Sequence, residues 1–431
     1  MAAATGCEGS GWAATFSLMA SIFFVPHNSV LTPLLGISFE RGLEYHIMFA
    51  YSTLINGVIH GLSCHMDITG VFLLVAMGLS STLAFYKIRR AAFEVFYKSH
   101  ILLYLVAMFF ALIHHGAKLA IVVAYLWVLD VLYRYGFLAL MKYPRSAKAY
   151  ALPANVVRIE FQKGAFRYQA GQYVFLCIPA LTCFQWHPFS MSSSPHEHVV
   201  TIHVRALGDW TRKLYDMAEA GGEEGVELRM LFEGPYGELI VDVDGPRYTS
   251  VMMISGGIGI TPMQSTCNSL LHQMKAGRPM NAIWFIWAAA DRYVVDAMWD
   301  DVERLPTALN SHMNSNGLPH SFTPDTLERV SEDFSAEDPL RTEFYLTRVR
   351  NEAEFEAANI NPKVQKCLKF GRPDLAQLLE QYCQVGKKAG DHRLAVLVCG
   401  PEAMVTEVRK LCSQMSGNGV ILDFHSEKFD L

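Results

Sequence analysis

The stretches EYHIMFAYSTLINGVIHGL (44–62) and YKSHILLYLVAMFFALIHHG (97–116) decide how the N-terminal part of the chain folds. Each is almost wholly apolar, and each carries two histidines fourteen positions apart: His46 and His60 in the first, His100 and His114 in the second. Fourteen steps of about 100° bring a side chain back to within roughly 40° of the same helix face, about 21 Å further along the axis. Two such helices side by side offer two levels of paired imidazoles. Ionisable groups in apolar helices are costly and are kept for function. Imidazole is a common iron ligand and holds haem axially. The spacing reads as two bis-histidine haems stacked across a bilayer. A hydrogen-bonded core histidine is the plainer account of any one of the four, but two matched pairs strain it.

Working outward, apolar stretches occur at about 11–25, 43–62, 69–86, 99–115 and 118–141. All but the first are near the roughly 20 residues that a spanning helix needs, and open backbone is not tolerated in lipid, so the expectation is about five membrane helices. Lys87, Arg89, Arg90 and Lys98 fall between the third and fourth stretches, and Lys142, Arg145 and Lys148 follow the fifth. The connections near 63–68 and 116–118 carry little positive charge. Cationic loops stay on the cytosolic side. This places His46 and His100 near the cytosol and His60 and His114 near the far face, so the pairs level without adjustment. His115 is an alternative to His114, and His65 is spare, a solvated loop residue or one lining a pocket near the outer haem.

The 431 residues are 51% hydrophobic and 18% charged, which fits a membrane part joined to a soluble part. A net charge of −5 offers no basic surface for nucleic acid. The nine cysteines include no C-x-x-C pair, and they read as reduced thiols in membrane and cytosol rather than as a zinc or iron–sulfur framework.

After Pro144 the pattern changes. The runs 156–161, 173–179, 199–207 and 226–232 are short, rich in β-formers and divided by Gly, Pro and Ser, as in a small antiparallel barrel. From 248 onward, strand candidates at 248–257, 281–288, 343–349, 394–400 and 420–425 alternate with helical runs, as in a parallel α/β sheet. The polar stretch 296–341 reads as an insertion. The divisions are therefore 1–142, 143–245 and 246–431.

Within these parts, SGGIGITPM (255–263) joins a buried strand to a helix, where glycine amides and a helix N-terminus favour phosphate. A tight strand–helix turn explains the same residues. CGPEAM (399–404) repeats the arrangement at a second strand end, and ligands of open α/β sheets bind at that edge. Arg372 in GRPD is either a phosphate partner or a surface arginine. HPFSMSSSP (187–195) offers hydroxyls and backbone beside an aromatic, as a flat ring with polar edges requires. HVRALGDWT (203–211) offers Arg205 to a phosphate and Trp210 as a stacking surface, though ordinary strand and turn would read the same way.

Taken in order, HPFSMSS, HVRALGDWT, GPYG (234–237), GGIGITP, GRP, CGP and the terminal DFHSEKF resemble the NADPH oxidases and ferric reductases. The histidine-paired helices and the lead-in NSVLTPLLGISFERGLEYH are similar to the haem core of the same superfamily. The resemblance covers roughly residues 12 to 431. It implies a multidomain chain: an α-helical transmembrane haem bundle, an antiparallel β-barrel for FAD, and an α/β nucleotide-binding domain of the ferredoxin-reductase-like kind.

Residue by residue, it implies that His187, Pro188, Phe189 and Ser190 contact the flavin. His203, Arg205, Trp210 and Thr211 would hold its ribityl and pyrophosphate. Gly256, Gly257, Gly259, Thr261 and Pro262 would cradle NADPH phosphate, with Cys399, Gly400 and Pro401 near the nicotinamide, Arg372 on the 2′-phosphate and Phe429 beside the flavin ring. No general acid or base is implied.

Some positions depart from the pattern. The family core has six helices, and its first has no counterpart here, which reads as a shortened form or a short gene model. GCEGSGW stands where an arginine near the oxygen site is often found. Thirteen residues separate His100 from His114, as is frequent in ferric reductases, where oxidases typically have twelve. Asp430 and Leu431 follow an aromatic that is usually terminal. Ala290 replaces an arginine, with Arg292 two positions later, which weakens the choice of NADPH over NADH. The expected activity is electron transfer from cytosolic NADPH through FAD and two b-type haems to an acceptor across the membrane. The leading acceptor is oxygen, giving superoxide. A ferric chelate is the alternative, and a non-catalytic proton pathway or regulatory membrane protein is the remote one.

Overall fold

The computed structural model describes residues 2–25, 39–64, 67–114, 118–133, 145–182, 185–237, 241–290, 292–298, 339–349, 368–417 and 419–427. His65, His115, Phe429 and most of the expected insertion lie outside these ranges. The described chain separates into two compact units, Met1–Tyr143 and Pro144–Leu431.

The first unit is helical: α1 (Ala2–Phe23), α2 (Phe39–Ser63), α3 (Ile68–Leu83), a short α4 (Tyr86–Ala91), α5 (Phe93–Ile113) and α6 (Lys118–Val131). Helix α1 packs along α2, and α3 along α5. Asp67 starts α3 as its N-cap, its carboxylate accepting from the Gly70 amide. His114 ends α5 in extended conformation, at φ −72° and ψ 138°, so it stands one residue beyond the last helical turn.

The packing of this unit is inverted. Ser17, Ser21, Thr53, Ser80, Ala76, Ala107 and Ala111 are buried, whereas Leu62, Ile68, Leu102, Phe109, Tyr125 and Leu132 are exposed. Small and hydroxylated residues let helices approach closely where the surroundings are as apolar as leucine. Among the described residues, only Val95–Ile113 is long and apolar enough to cross a membrane, and Ile68–Leu83 is apolar but shorter.

The second unit contains two six-stranded sheets. The first comprises β1 (Arg145–Leu152), β2 (Val156–Gln162), β3 (Tyr173–Cys177), β4 (His187–Ser190), β5 (Val199–Arg205) and β6 (Val226–Tyr236) in the order β4-β3-β6-β1-β2-β5, all neighbours antiparallel. The two edges meet through a Met191–Ile202 bridge, which curls the sheet into a barrel. Strand β1 is an addition to the strands expected from the sequence. Its alanine-rich run lacks β-branched residues, yet Ala147, Ala149 and Tyr150 turn inward between β2 and β6. Helix α7 (Asp209–Ala220) follows β5.

The second sheet is parallel. It holds β7 (Ser250–Gly256), β8 (Ala282–Ala289), β9 (Leu340–Leu346), β10 (Leu368–Phe370), β11 (Arg393–Cys399) and β12 (Ile421–Glu427) in the order β10-β9-β8-β7-β11-β12. Val251 and Met253 face a core with α8 (Ile260–Lys275) and α9 (Arg292–Met298). Met252 and Ile254 face the opposite core with α10 (Leu375–Ala389) and α11 (Glu402–Met415). Both faces are covered, so the strands are apolar throughout, and each fully buried aliphatic side chain contributes roughly 1.5–3 kcal/mol. Winding runs outward from β7 to β10 on one side and resumes with β11 on the other. The topological switch point therefore lies between β7 and β11.

Candidate functional site

The histidine pairs in the helical unit meet across the bundle. The rings of His46 and His100 have centroids 6.2 Å apart at 78°, and those of His60 and His114 are 6.2 Å apart at 80°. A ring centroid lies roughly 3 Å from a metal that its nitrogen holds at about 2 Å, so imidazoles ligating one metal from opposite sides sit about 6 Å apart. In all four rings Nδ1 is engaged. His46 Nδ1 faces the Ser21 carbonyl at 2.9 Å, and His100 Nδ1 the Ser80 hydroxyl at 2.8 Å. His60 Nδ1 has Ser10 Oγ at 3.5 Å and Cys64 Sγ at 3.4 Å. His114 Nδ1 has Thr69 Oγ1 at 2.9 Å and Asp67 Oδ1 at 3.3 Å. Partners on one nitrogen fix the ring and leave Nε2 for a ligand.

Two glycines that the sequence reading does not single out make room for these rings. A Cβ on Gly11 would stand 3.0 Å from His60 Cε1, and one on Gly70 would stand 3.1 Å from His114 Cε1. Among the described residues no three His, Cys, Asp or Glu side chains converge on a point. Asp67 has its carboxyl held down to about 2, first by the Thr69 hydroxyl and then by the Gly70 amide.

Cys64 overturns one expectation. It is disulfide-bonded, whereas Cys177, Cys267, Cys383, Cys399 and Cys412 are buried free thiols. Disulfides persist in oxidising compartments. Cys64 lies beside His60, the end of the bundle that the loop charges assign to the far face.

In the barrel, β4 and the start of α7 bring three rings together. His187 lies 4.4 Å from Trp210, and Phe189 lies 6.0 Å from it at 21°. Trp210 is buried beneath them rather than presented as an open platform, and its Nε1 has no hydrogen-bond partner among the described residues. Thr211 Oγ1 accepts from the Leu207 and Gly208 amides and donates to the Gly208 carbonyl, so the hydroxyl serves the helix start. Buried His203 faces Ser192 Oγ at 2.8 Å. Pro188 and Ser190 lie on β4, the last strand of its sheet.

The serines after β4 form a pinned turn. Ser193 Oγ accepts from the Thr201 amide, the Ser194 amide donates to Glu197, and Ser265 Oγ on α8 donates to the Ser193 carbonyl at 2.6 Å. The last bond ties the barrel to the α/β sheet.

At the switch point the two glycine turns abut. Cβ atoms added to Gly256 and Gly259 would come within 2.6 Å of Pro401 Cδ and 2.5 Å of the Cys399 carbonyl, and Gly400 lies against the Gly256 backbone. Gly257 takes φ +56°, and Arg205 of the barrel reaches to 4.0 Å from where its Cβ would be. No side chain caps the start of α8, and the Ile260 amide donates to the Gly257 and Ile258 carbonyls. Thr261 and Pro262 are buried in that first turn. Burial pushes the Cys399 thiol well above its ordinary value, with Glu427 adding to the shift. Arg372 follows β10, on the approach to α10.

Residues 141–239 match the FAD-binding domain family, and residues 248–413 match the ferric reductase NAD binding domain family. The chain is 24% identical over 392 residues to a superoxide-generating NADPH oxidase heavy chain of Dictyostelium discoideum, covering 84% of this chain and 53% of that protein. It is 26% identical over 358 residues to dual oxidase 2 of Homo sapiens, covering 80% of this chain and 22% of that protein. It is 28% identical over 313 residues to ferric reduction oxidase 7, chloroplastic, of Arabidopsis thaliana, covering 63% of this chain and 41% of that protein. The chain thus spans between 22% and 53% of the length of these relatives. It belongs to the NADPH oxidase and ferric reductase superfamily.

Proposed function

We propose that the chain is an integral membrane oxidoreductase that carries electrons from cytosolic NADPH through FAD and two b-type haems to oxygen on the far side, giving superoxide. The observation that carries this reading is the pairing of His46 with His100 and of His60 with His114 at 6.2 Å, each Nδ1 engaged. At that separation His46 with His100, and His60 with His114, would each hold one iron between their rings. FAD held in the barrel would supply the conversion of a hydride to single electrons, and haem held by His46, His100, His60 and His114 would supply one-electron relay.

The protein's part is to hold and orient. His187, Pro188, Phe189 and Ser190 would edge the flavin, with Trp210 supporting the first ring from below. Arg205 and His203 would face its phosphate-bearing arm, and Thr211 would set the helix start beside it. Gly256, Gly257, Gly259, Thr261 and Pro262 would receive NADPH phosphate at the start of α8. Gly400 and Pro401 would admit the nicotinamide beside Cys399, and Arg372 would meet the 2′-phosphate. A role for Phe429 rests on the resemblance alone. The apolar exterior of the helical unit supports a lipid surround, and the disulfide at Cys64 supports an oxidising far face.

Ferric-chelate reduction is the second reading, supported by the plant relative and by the thirteen residues between His100 and His114. Proteoliposomes given NADPH, scored in parallel for superoxide and ferric reduction with and without superoxide dismutase, separate the two. Iron reduction abolished by dismutase, with superoxide detected directly, is the expected result. Iron reduction that survives dismutase makes oxygen the wrong acceptor. Haem bands that NADPH fails to reduce would sink both readings.

A further inference from the structure

The ligand histidines differ in what stands behind them. His46 is backed by a backbone carbonyl and His100 by a serine hydroxyl. Behind His114 stand Thr69 Oγ1 at 2.9 Å and the Asp67 carboxylate at 3.3 Å. Thr69 also donates to Asp67 Oδ1 at 2.6 Å, so the carboxylate, the hydroxyl and the imidazole form one closed cluster. The Gly70 amide donates to the same Oδ1 at 2.7 Å, which ties the cluster to the start of α3. Gly70 cannot carry a side chain without pressing on His114 Cε1, so the backbone is fitted to the ring as well.

A carboxylate behind a ligand imidazole orients the ring and raises its basicity. A more basic axial ligand favours ferric over ferrous iron, and the quality of axial ligation is a main determinant of haem potential. We propose that Asp67, with Thr69, is a positioning and tuning element for His114 that lowers the reduction potential of the haem at the His60–His114 level. The inference rests on the bis-haem reading above. Its consequence is directional. The level nearer the far face becomes the stronger reductant toward its acceptor, which helps a one-electron acceptor that is hard to reduce.

The test is a spectroelectrochemical titration of the full chain in detergent or nanodiscs, without NADPH, comparing the wild type with Asp67→Asn. Asparagine caps a helix about as well as aspartate, so α3 keeps its start while the charge is lost. One of two midpoints should rise by about 59 mV, a tenfold change in a one-electron equilibrium, while the other holds. Thr69→Val should move the same midpoint in the same direction by less, and Asp67→Glu should restore part of the shift. Two haems with midpoints unchanged in Asp67→Asn would overturn the inference and reduce Asp67 to a helix cap. Both midpoints moving together would overturn it too, as a global effect. A chain that binds no haem fails the bis-haem reading instead, and the haem content of the wild type tells the two failures apart.

Discussion

The helical unit and the α/β sheet bury opposite kinds of residue. In the sheet, Ile254, Phe285, Trp287 and Leu397 are buried and large. Among the described residues of the bundle, the buried positions are mostly Ser, Thr and Ala, with Ile22 and Met108 the large apolar exceptions, while Leu62, Ile68, Leu102 and Phe109 face outward. The sheet folds by hiding hydrocarbon from water. The bundle gains nothing that way if its surround is hydrocarbon, so close contact between small residues and hydrogen bonds to imidazoles take over. On the proposed reading one chain is written for two solvents, and its candidate sites divide the same way. Imidazoles pair within the bundle, while the glycine turns abut at the edge of the parallel sheet.

The largest expected effect removes an imidazole. His100→Ala should leave one haem per chain, read as haem-to-protein ratio, and lower NADPH-driven transfer across vesicles by more than about 100-fold, since losses in the ligand's outer partners alone reach that scale. Full FAD content should persist, because the barrel is part of a separate unit. Two haems retained in this variant would mean that another residue is the ligand.

The comparison of solvents can be broken with a matched pair. Leu102 in the bundle is 62% exposed and Leu207 after the barrel strand β5 is 69% exposed. Leu102→Asp should cost about 2.5–3.5 kcal/mol in lipid. Leu207→Asp should cost within about 0.5 kcal/mol in water. Membrane-inserted yield and thermal stability in nanodiscs measure both. Equal tolerance would show that the exposed face of α5 meets water.

How much of this is legible in the sequence follows from the range of the signal. Strand and helix runs with period 2 or 3.6 are readable, and α11 falls on the run EAMVTEVRKLCSQM. The histidine spacing is readable because each pair falls within one apolar run. What stands behind each histidine is not, because Thr69 is 45 positions from His114 and Ser10 is 50 from His60. No local period encodes such a contact. Asp67 does leave a mark, since an Asp three residues before Gly70 at the head of an apolar run is an N-cap signal. Trp210 and Thr211 are legible as important, but their geometry is not: one packs beneath the neighbouring rings and the other closes its own helix. Strand β1 escapes notice because positive charge and alanine hide its pairing.

A second matched pair sharpens the difference in site chemistry. Gly259→Ala would drive a methyl group into the Cys399 carbonyl, costing about 1–3 kcal/mol at the switch point. It should raise KM for NADPH with FAD content unchanged. Gly11→Ala would press on His60 Cε1 and should alter the haem spectrum while leaving KM for NADPH alone. A haem change from Gly259→Ala, or a KM change from Gly11→Ala, would show that the two sites do not act separately.

The smallest effect concerns pH and is confined to the sheet. Burial pushes the Glu343 carboxyl up, but hydrogen bonds from Tyr345, Lys369 and Arg341 outweigh it, and the net shift is downward from 4.5. A carboxyl depressed in the folded state stabilises fully above its ordinary value and loses that contribution as pH falls through its folded value. Arg341 also lies 4.1 Å over the Trp284 ring, so losing the carboxylate loosens a cation held against the core. Glu343→Gln should cost about 1 kcal/mol at neutral pH. The difference between wild type and variant should stay constant down to about pH 4.5 and shrink below it. Thermal unfolding followed by intrinsic fluorescence at a series of pH values reads both. A difference that persists undiminished into strong acid would mean that Glu343 contributes through shape and not through charge. The acid sensitivity of the sheet would then have to come from elsewhere, such as the Arg393–Asp423 pair across β11 and β12.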